Sequence, residues 1–216
     1  GAFFTSDESY LFFTSRRKRT EKDKISRYDS QYYEDIYISQ KNNKNWGNAI
    51  NIGKPINTEN HDATAGLSND GQKLFIFRNK KGKGGGDIYV SNLKGDRWKR
   101  AKKLPKPINT KYHETTASLS FDGRVLYFIS ERPGGYGGRD IYRAFKNSDQ
   151  KWERAENLGL IVNSEFDEDF IFVHPDGKTL YFSSKGHNSM GGYDIFVTEM
   201  LNNGSFTKPK NLGFPV

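Results

Sequence analysis

Short runs of bulky apolar residues alternate with polar, glycine-containing segments along the whole sequence. Leu74-Phe75-Ile76, Leu126-Tyr127-Phe128 and Asp140-Ile141-Tyr142 carry bulky side chains at consecutive positions, and consecutive side chains of a strand point to opposite faces. A strand with one face in water would instead alternate apolar and polar residues. We therefore predict short strands that are buried on both faces, as in small sheets that stack against one another.

The apolar pattern repeats four times at a nearly constant interval. Asp-Ile-Tyr or Asp-Ile-Phe occurs at intervals of 52, 53 and 54 residues, beginning at Asp35, Asp87, Asp140 and Asp194. A Leu-containing aromatic run precedes each copy, and an aromatic residue follows it, at Trp46, Trp98, Trp152 and Phe206. Repeats of about 50 residues with four short strands each are typical of propeller blades. We predict an all-β fold: a β-propeller of four-stranded antiparallel blades, with four repeats in this chain.

Each repeat contains turn residues that separate four strands. The first strand ends near an Asp-Gly pair such as Asp122-Gly123, because glycine accepts the positive φ of a hairpin turn. The second strand is predicted over Val125–Ser130, and a glycine-rich turn then leads to the third strand, which begins at Asp-Ile-Tyr. We predict one propeller domain over residues 1–216, with repeats of about 1–58, 59–110, 111–164 and 165–216. A closed four-blade ring and an arc of a larger propeller both fit this pattern, and a stacked solenoid is the alternative.

The net charge of +8 raises the question of an anionic partner such as nucleic acid. The aromatic residues, however, occupy predicted core positions, whereas nucleic-acid-binding surfaces interleave aromatic and basic residues. The basic run 97–106 falls on the outermost strand of the second repeat, where lysine protects an exposed sheet edge. We predict no nucleic-acid partner and, because no run of 18 apolar residues occurs, no membrane-spanning segment. A nucleic-acid-binding module stays an alternative.

Cysteine is absent from the sequence, which excludes disulfides and thiolate metal sites. No two histidines lie at close ligand spacing within one repeat, so we predict no metal site and no other cofactor. The four recurring aspartates are predicted to be structural, each accepting backbone N–H groups from the neighbouring turn; they are Asp35, Asp87, Asp140 and Asp194.

Two features are predicted to form a binding surface at one end of the blades. The first is a polar pair at the entry to an innermost strand, found at His61-Asp62, His113-Glu114 and Asp167-Glu168. The second is an insertion within 17–34 of the first repeat, which is basic and rich in tyrosine. Its candidate binding residues are Arg17, Arg19, Tyr32 and Tyr33, because arginine and tyrosine dominate interface energetics. Hydrogen bonding between loops of neighbouring blades is the alternative role of the polar pairs.

The repeat motif resembles that of a known family. Asp122-Gly123-x-x-Leu126-Tyr127-Phe128-x-Ser130, followed by Gly137-Gly138-x-Asp140-Ile141-Tyr142, is similar to the WD40-like, TolB-type repeats of bacterial envelope propellers. The motif resembles more closely that of Bacteroidetes proteins that join such a propeller to an OmpA-like domain, including a periplasmic type IX secretion component. The resemblance implies a periplasmic, outer-membrane-associated scaffold that contacts envelope or secretion-system proteins or peptides. Peptidoglycan would be held by a domain outside this chain.

Motifs of known hydrolases are incomplete or absent in the sequence. Ser120-x-Asp122-Gly123 begins like the Asp box of sialidases, but the spacing differs. The sequence has no Gly-x-Ser-x-Gly, no His-Glu-x-x-His and no cysteine nucleophile. We predict that the chain is not an enzyme and has no catalytic residues, with a glycan-processing enzyme of the sialidase-like propeller type as the alternative.

Overall fold

The computed structural model describes residues 1–18, 21, 25–26, 30–79 and 85–213. Every regular element in this part of the chain is a β-strand. No helix in the same described ranges is long and apolar enough to cross a membrane. The chain divides into two compact units, Gly1–Leu104 and Pro105–Val216. Each unit holds two antiparallel sheets, and we number these four sheets blades 1 to 4 in chain order.

Unit 1 contains blades 1 and 2, whose outermost strand is divided into two short pieces. Both pieces pair with the third strand of their blade. The strands of blade 1 are β1 Ala2–Phe4, β2 Tyr10–Ser15, β3 Asp35–Asn42, β4 Asn45–Trp46 and β5 Ile50–Asn51. Those of blade 2 are β6 His61–Leu67, β7 Lys73–Asn79, β8 Asp87–Lys94, β9 Arg97–Trp98 and β10 Lys102–Lys103.

Unit 2 contains blades 3 and 4, which have four strands each in sequential order. The strands of blade 3 are β11 Glu114–Leu119, β12 Val125–Ser130, β13 Asp140–Lys146 and β14 Trp152–Asn157. Those of blade 4 are β15 Glu168–Val173, β16 Thr179–Ser184, β17 Asp194–Glu199 and β18 Lys210–Asn211. The fold class predicted from the repeat is confirmed: the described chain is all-β and consists of four antiparallel propeller blades.

The Asp-Gly hairpins form as the sequence predicts. Gly123 has a φ of 70°, a value that glycine adopts without steric cost, and its N–H donates to the Ser120 carbonyl at 2.9 Å. The Asp122 carboxylate accepts hydrogen bonds from Ser120 Oγ at 2.6 Å and from the Arg124 N–H at 3.0 Å. These contacts lower the pKa of Asp122, with the Ser120 hydroxyl as the main cause.

Each unit has its own apolar core between its two blades. In unit 1, Phe12 and Ile36 of blade 1 pack in one cluster with Leu74 and Ile76 of blade 2. In unit 2 the corresponding cluster combines residues of blades 3 and 4, and its buried members are Tyr127, Ile129, Ile141, Val162, Ile171, Val173, Leu180, Phe182, Phe196 and Phe206. The consecutive bulky residues of the repeat are therefore core residues, as predicted.

Candidate functional site

One end of each of blades 2 to 4 carries the same cross-strand row of polar residues. An acid of the innermost strand, a serine or arginine of the second and the recurring aspartate of the third lie directly opposite one another. The rows are Asp62-Arg78-Asp87, Glu114-Ser130-Asp140 and Glu168-Ser184-Asp194. We call this end of each blade its turn face; the Asp-Gly hairpins lie at the opposite end.

The acids of unit 2 are fully buried and hold the loop that enters their own blade. Thr110 Oγ1 and Ser130 Oγ donate to the Glu114 carboxylate at 2.6 and 2.9 Å. Ser164 Oγ and Ser184 Oγ donate to Glu168 at 2.7 and 2.8 Å. Glu168 has 0% exposure, and burial raises its pKa to about 7. Both acids therefore hold the loop that enters their own blade.

Blade 2 uses a different pair of residues at the same two positions. Asp62 stands where blades 3 and 4 have glutamate, and Arg78 stands where they have serine. Arg78 Nε donates to the Asp62 carboxylate, and Arg78 Nη2 donates to the Ile56 carbonyl at 2.7 Å. The Arg78 guanidinium also lies 4.5 Å from the ring centre of Tyr89. Blade 2 thus has the longer arginine in place of serine and, on the adjacent strand, the shorter aspartate in place of glutamate.

In each blade of unit 2, a side chain from the turn after the second strand also binds the loop that enters the blade. It is an arginine in blade 3 and a histidine in blade 4. Arg132 donates to the carbonyls of Pro107 and Ile108 at 2.9 and 2.5 Å, and its guanidinium lies 4.8 Å from the Tyr142 ring centre. In blade 4, His187 Nε2 lies 2.9 Å from the Val162 carbonyl. These contacts tie the turn after the second strand to the loop that leads into the blade.

The four recurring aspartates lie at the start of the third strand and bind neighbouring turns or the outermost strand. Asp140 accepts the Tyr136 N–H at 3.0 Å, and Asp194 accepts the Met190 N–H at 2.5 Å. Side chains of the outermost strand bind three of the aspartates. Asn51 donates to Asp35 at 3.1 Å, and Asn211 donates to Asp194 at 3.0 Å. Lys103 forms an ion pair with Asp87 at 2.7 Å. Asp140 and Asp194 thus accept turn N–H groups of the kind predicted for all four aspartates, and the structural role of the set stays a prediction.

We expect Asp140→Ala to lower the free energy of unfolding by about 1–3 kcal/mol, because the turn amides lose a buried acceptor. Asp140 is 1% exposed, and burial raises its pKa. Denaturant unfolding measures the change. Asp149→Ala, in an exposed turn, is the matched control and should change stability by much less. Equal stability of both variants and the parent protein would argue against the structural role.

The insertion of unit 1 is anchored on the loop that enters blade 2. The Tyr33 ring lies 4.7 Å from the His61 ring, and His61 Nδ1 lies 3.3 Å from the Glu34 carboxylate. The Arg17 guanidinium lies 4.7 Å from the Tyr37 ring centre, and its side chain remains exposed. Tyr32 is half-buried and forms an isolated bridge with Ile25. The remaining candidate, Arg19, lies outside the described residues.

The two other members of the polar pairs, His113 and Asp167, are half-buried in unit 2. His113 Nδ1 lies 3.6 Å from the Glu131 carboxylate, and the Asp167 carboxylate accepts a hydrogen bond from Lys185 Nζ at 3.3 Å. Lys185 Nζ also lies 4.7 Å from the Tyr193 ring centre.

Within the described residues, no group of three or more His, Cys, Asp or Glu side chains is arranged to hold a metal ion.

Sequence reasoning missed a set of exposed apolar side chains on the turn face of unit 2. They lie in the loops and turns at this end of blades 3 and 4, and 37–67% of each residue is exposed. The set, which we call the apolar patch, consists of Tyr112, Tyr136, Phe166, Met190 and Tyr193. The local indication in the sequence is an aromatic residue beside glycines: Tyr136 lies between Gly135 and Gly137, and Tyr193 follows Gly191-Gly192.

Glycine allows the segments that carry the patch to approach one another closely. A Cβ atom on Gly137 would lie 2.0 Å from the Phe166 carbonyl oxygen, and one on Gly186 would lie 2.1 Å from Ser164 Oγ. Arg139 adds ion pairs to Glu131 at 3.1 Å and to Asp169 at 3.0 Å. The turn of blade 3 and the entry loop of blade 4 are therefore held together as one surface.

Comparison with known proteins identifies the fold. No protein-family model matches the sequence, and no curated protein does. TolB from Acinetobacter baumannii is similar in structure, with a TM-score of 0.57 and 16% identity over 95% of this chain and 42% of that chain. An α-L-arabinofuranosidase from Lactobacillus brevis has a TM-score of 0.58 and 13% identity over 100% of this chain and 75% of that chain. A Hadza microbial sialidase has a TM-score of 0.58 and 14% identity over 97% of this chain and 44% of that chain.

The likeness to TolB supports the TolB-type propeller predicted from the repeat, at the level of the fold. This chain spans less than half of the TolB and sialidase chains. The prediction that the chain is not an enzyme is wrong as an inference from the repeat, because structures of this fold include an arabinofuranosidase and a sialidase. Loops carried by a propeller supply its chemistry, so missing hydrolase motifs do not exclude catalysis, and the fold alone does not establish an activity.

Proposed function

We propose that the chain is a protein-binding module of the bacterial cell envelope, and that the turn face of unit 2 holds a polypeptide partner. The main support is the apolar patch, which places three exposed aromatic rings, Tyr136, Phe166 and Tyr193, on one side of this unit. Aromatic residues are enriched in the energetically dominant part of protein interfaces. Grouped exposure of large apolar side chains is also the usual sign of an interaction surface.

The charged residues beside the patch favour a preorganised surface. Arg139 is fixed by two carboxylates, and Lys185 is fixed between Asp167 and the Tyr193 ring. Side chains that are ordered before binding lose less conformational entropy when a partner arrives. The same groups offer hydrogen bonds at the rim of an apolar centre, which is the usual anatomy of a protein interface.

Unit 1 contributes its own candidates on the turn face of its blades. Arg17 and Tyr32 remain proposed contact residues together with Tyr33 and Arg19, because arginine and tyrosine supply much of the binding energy at interfaces. His61, His113 and Asp167 are proposed to contribute polar contacts at the same end of their blades. Asp62, Glu114 and Glu168 are buried, so we propose that they support binding by fixing the entry loops.

The proposed location is the periplasm, in association with the outer membrane. Its support is the resemblance of the repeat to TolB-type envelope propellers, together with the TolB-like fold. In this proposal the partners are envelope or secretion-system proteins or peptides, and peptidoglycan is held by a domain outside this chain. Cell fractionation with an antibody to the chain tests the location, and recovery in the cytoplasm would contradict it.

Replacing Tyr136, Phe166 and Tyr193 together with serine should reduce recovery of the partner from envelope extract at least tenfold. Loss of one hot-spot aromatic costs about 2 kcal/mol or more, and about 1.4 kcal/mol corresponds to a factor of ten. Quantitative mass spectrometry of pull-downs measures the recovery. The melting temperature should change little, because all three side chains are exposed.

The matched control replaces exposed apolar residues at the opposite end of the same unit. Phe121 is 71% exposed and Leu201 is 45% exposed, and both lie in turns between strands. Phe121→Ser with Leu201→Ser should leave partner recovery unchanged. If the control loses the partner and the patch variant keeps it, the proposed face is wrong.

A further inference from the structure

Unit 1 contains an open cavity of about 560 Å³, and every residue that lines it belongs to this unit. The loop that leads from blade 1 to blade 2 contributes Lys54, Pro55 and Glu59 to its lining. Arg100, which lies between β9 and β10 of blade 2, contributes from the outermost part of that blade. Sites for small molecules commonly measure about 300–1,000 Å³, so this cavity is large enough for a ligand.

The loop that lines the cavity is held by buried hydrogen bonds. Asn57 is 4% exposed, and its Nδ2 donates to the Ile36 carbonyl and to Asn51 Oδ1, both at 2.9 Å. The N–H and the hydroxyl of Thr58 donate to the Asp62 carboxylate, both at 2.7 Å. The loop is therefore ordered before a ligand arrives, which lowers the entropy cost of binding.

The equivalent loop of unit 2 shows that the loop conformation does not require a cation. In that loop Asn163 takes the place of Asn57, and its Nδ2 donates to the Ile141 carbonyl at 3.0 Å. Leu160 stands where unit 1 has Lys54. The Lys54 side chain is thus not needed to hold the loop and is available to a ligand.

The charged side chains at the cavity have no partners within the chain. Lys54, Glu59 and Arg100 are exposed, and among the described residues none of the three forms an ion pair or a side-chain hydrogen bond. The cavity therefore offers two unpaired cations and one carboxylate. Its wall is otherwise mostly carbon, from the Pro55 ring and the aliphatic parts of the charged side chains.

The positive charge of the chain is concentrated in the unit that holds this cavity. Residues 1–104 include 21 Lys and Arg against 12 Asp and Glu, whereas residues 105–216 include 13 against 14. The summed field of a basic unit raises the local concentration of anions. The charge of unit 1 and the unpaired cations of the cavity both favour an anionic ligand.

We propose that the cavity of unit 1 binds an organic carboxylate with an apolar body of one or two rings. Lys54 and Arg100 bind the carboxylate, and a guanidinium matches the geometry of a carboxylate with two parallel hydrogen bonds. The apolar body packs against the Pro55 ring. Glu59 disfavours a second negative charge, so a carboxylate fits better than a phosphate dianion. This site is independent of the partner at the turn face.

Titration of the full chain with 2-naphthoate, followed by calorimetry and by amide NMR shifts, tests the site. A Kd of about 1 mM or below is expected for a ligand of this size. The shifted amides should centre on Gly53, Asn57, Thr58 and Arg100. 2-Naphthylmethanol carries the same rings without the charge and should bind at least fivefold more weakly. 2-Naphthylmethylamine, which is cationic, should bind more weakly still.

Substitutions at the cavity separate its cations from the overall charge. Lys54→Gln combined with Arg100→Gln should weaken 2-naphthoate binding at least fivefold and leave the alcohol unaffected. Lys44→Gln combined with Arg97→Gln removes the same charge from exposed positions of unit 1 outside the cavity and should bind like the parent chain. Glu59→Gln should tighten binding because it removes the repelling carboxylate.

Three results would overturn the proposal. One is the absence of amide shifts around the cavity when 2-naphthoate is raised well above about 1 mM. Another is binding of the alcohol or the amine as tight as that of the carboxylate. The third is an equal loss of affinity in the cavity variant and in its matched control, which would show that net charge alone attracts the ligand.

Discussion

Asp62→Asn should lower the free energy of unfolding by about 3–5 kcal/mol, because it removes one partner of a buried ion pair. Asp62 is 0% exposed and Arg78 is 9% exposed. The substitution leaves the Arg78 guanidinium buried without its counter-charge, whereas the amide keeps the shape of the acid. Denaturant unfolding followed by tryptophan fluorescence measures the loss, because Trp98 packs against the core of unit 1.

Removing the Arg78 charge as well tests whether the loss of stability arises from the unpaired guanidinium. Asp62→Asn combined with Arg78→Met removes both charges and retains an apolar chain beside the Tyr89 ring. Replacing both members of a buried pair commonly costs much less than removing one. The double variant should therefore be more stable than Asp62→Asn alone. Equal or lower stability of the double variant would show that the Arg78 charge is not the cause.

Unfolding of the protein should become easier as pH rises from about 4.5 to about 7, with a loss of about 1–3 kcal/mol. Glu168 is responsible: burial raises its pKa to about 7 from an ordinary value of 4.5. Within this window the folded state holds the proton and the unfolded state releases it. The folded state therefore binds more protons, and its stability falls with increasing pH until Glu168 is ionised in both states.

Glu168→Gln isolates this contribution to the pH dependence. The amide stays neutral and can still accept hydrogen bonds from Ser164 and Ser184. Unfolding of this variant should depend less on pH between about 4.5 and 7. Glu165→Gln, an exposed position in the same loop, should retain the dependence of the parent chain. The assignment to Glu168 fails if the two variants show the same pH profile.

The strands of the blade interior could be predicted closely from the sequence because two constraints coincide there. Consecutive bulky residues mark strands buried on both faces, and Asp-Gly marks the hairpins between them. The second strand of blade 3 was predicted over Val125–Ser130 and occurs at that position. The third strands begin at Asp35, Asp87, Asp140 and Asp194, as predicted.

The outermost strands were less predictable because one edge of each has no neighbour within its sheet. In unit 1 they divide into pairs of two-residue strands, whereas blade 3 has one continuous strand, Trp152–Asn157. In blade 4 the aromatic Phe206 forms only an isolated bridge with Met200. The aromatic residue marks where the chain returns to the blade, and the length of the edge strand depends on the turn that precedes it.

For the candidate site, the end of the blade at which the residues lie could be predicted from the sequence better than the contacts that they make. The polar pairs and the glycine-rich turns lie at one end of their blades, as expected, because antiparallel strands fix which ends coincide. The roles of Asp62 and Arg78 could not be paired from the sequence, since they meet only through the register of adjacent strands. The exposure of the Tyr136 and Phe166 rings could not be predicted from the sequence, because most aromatic residues of this repeat are core residues.

The most direct test of the proposed binding face is site-specific photocrosslinking in cells. Benzoylphenylalanine would replace Phe166 on the turn face of unit 2 in one strain and Phe121 at the opposite end in another. Both side chains are exposed, at 51% and 71%, so both probes can reach a partner equally well. The proposed function predicts a crosslinked partner band at position 166 and none at position 121. A band at position 121 alone, or none at either position, would contradict it.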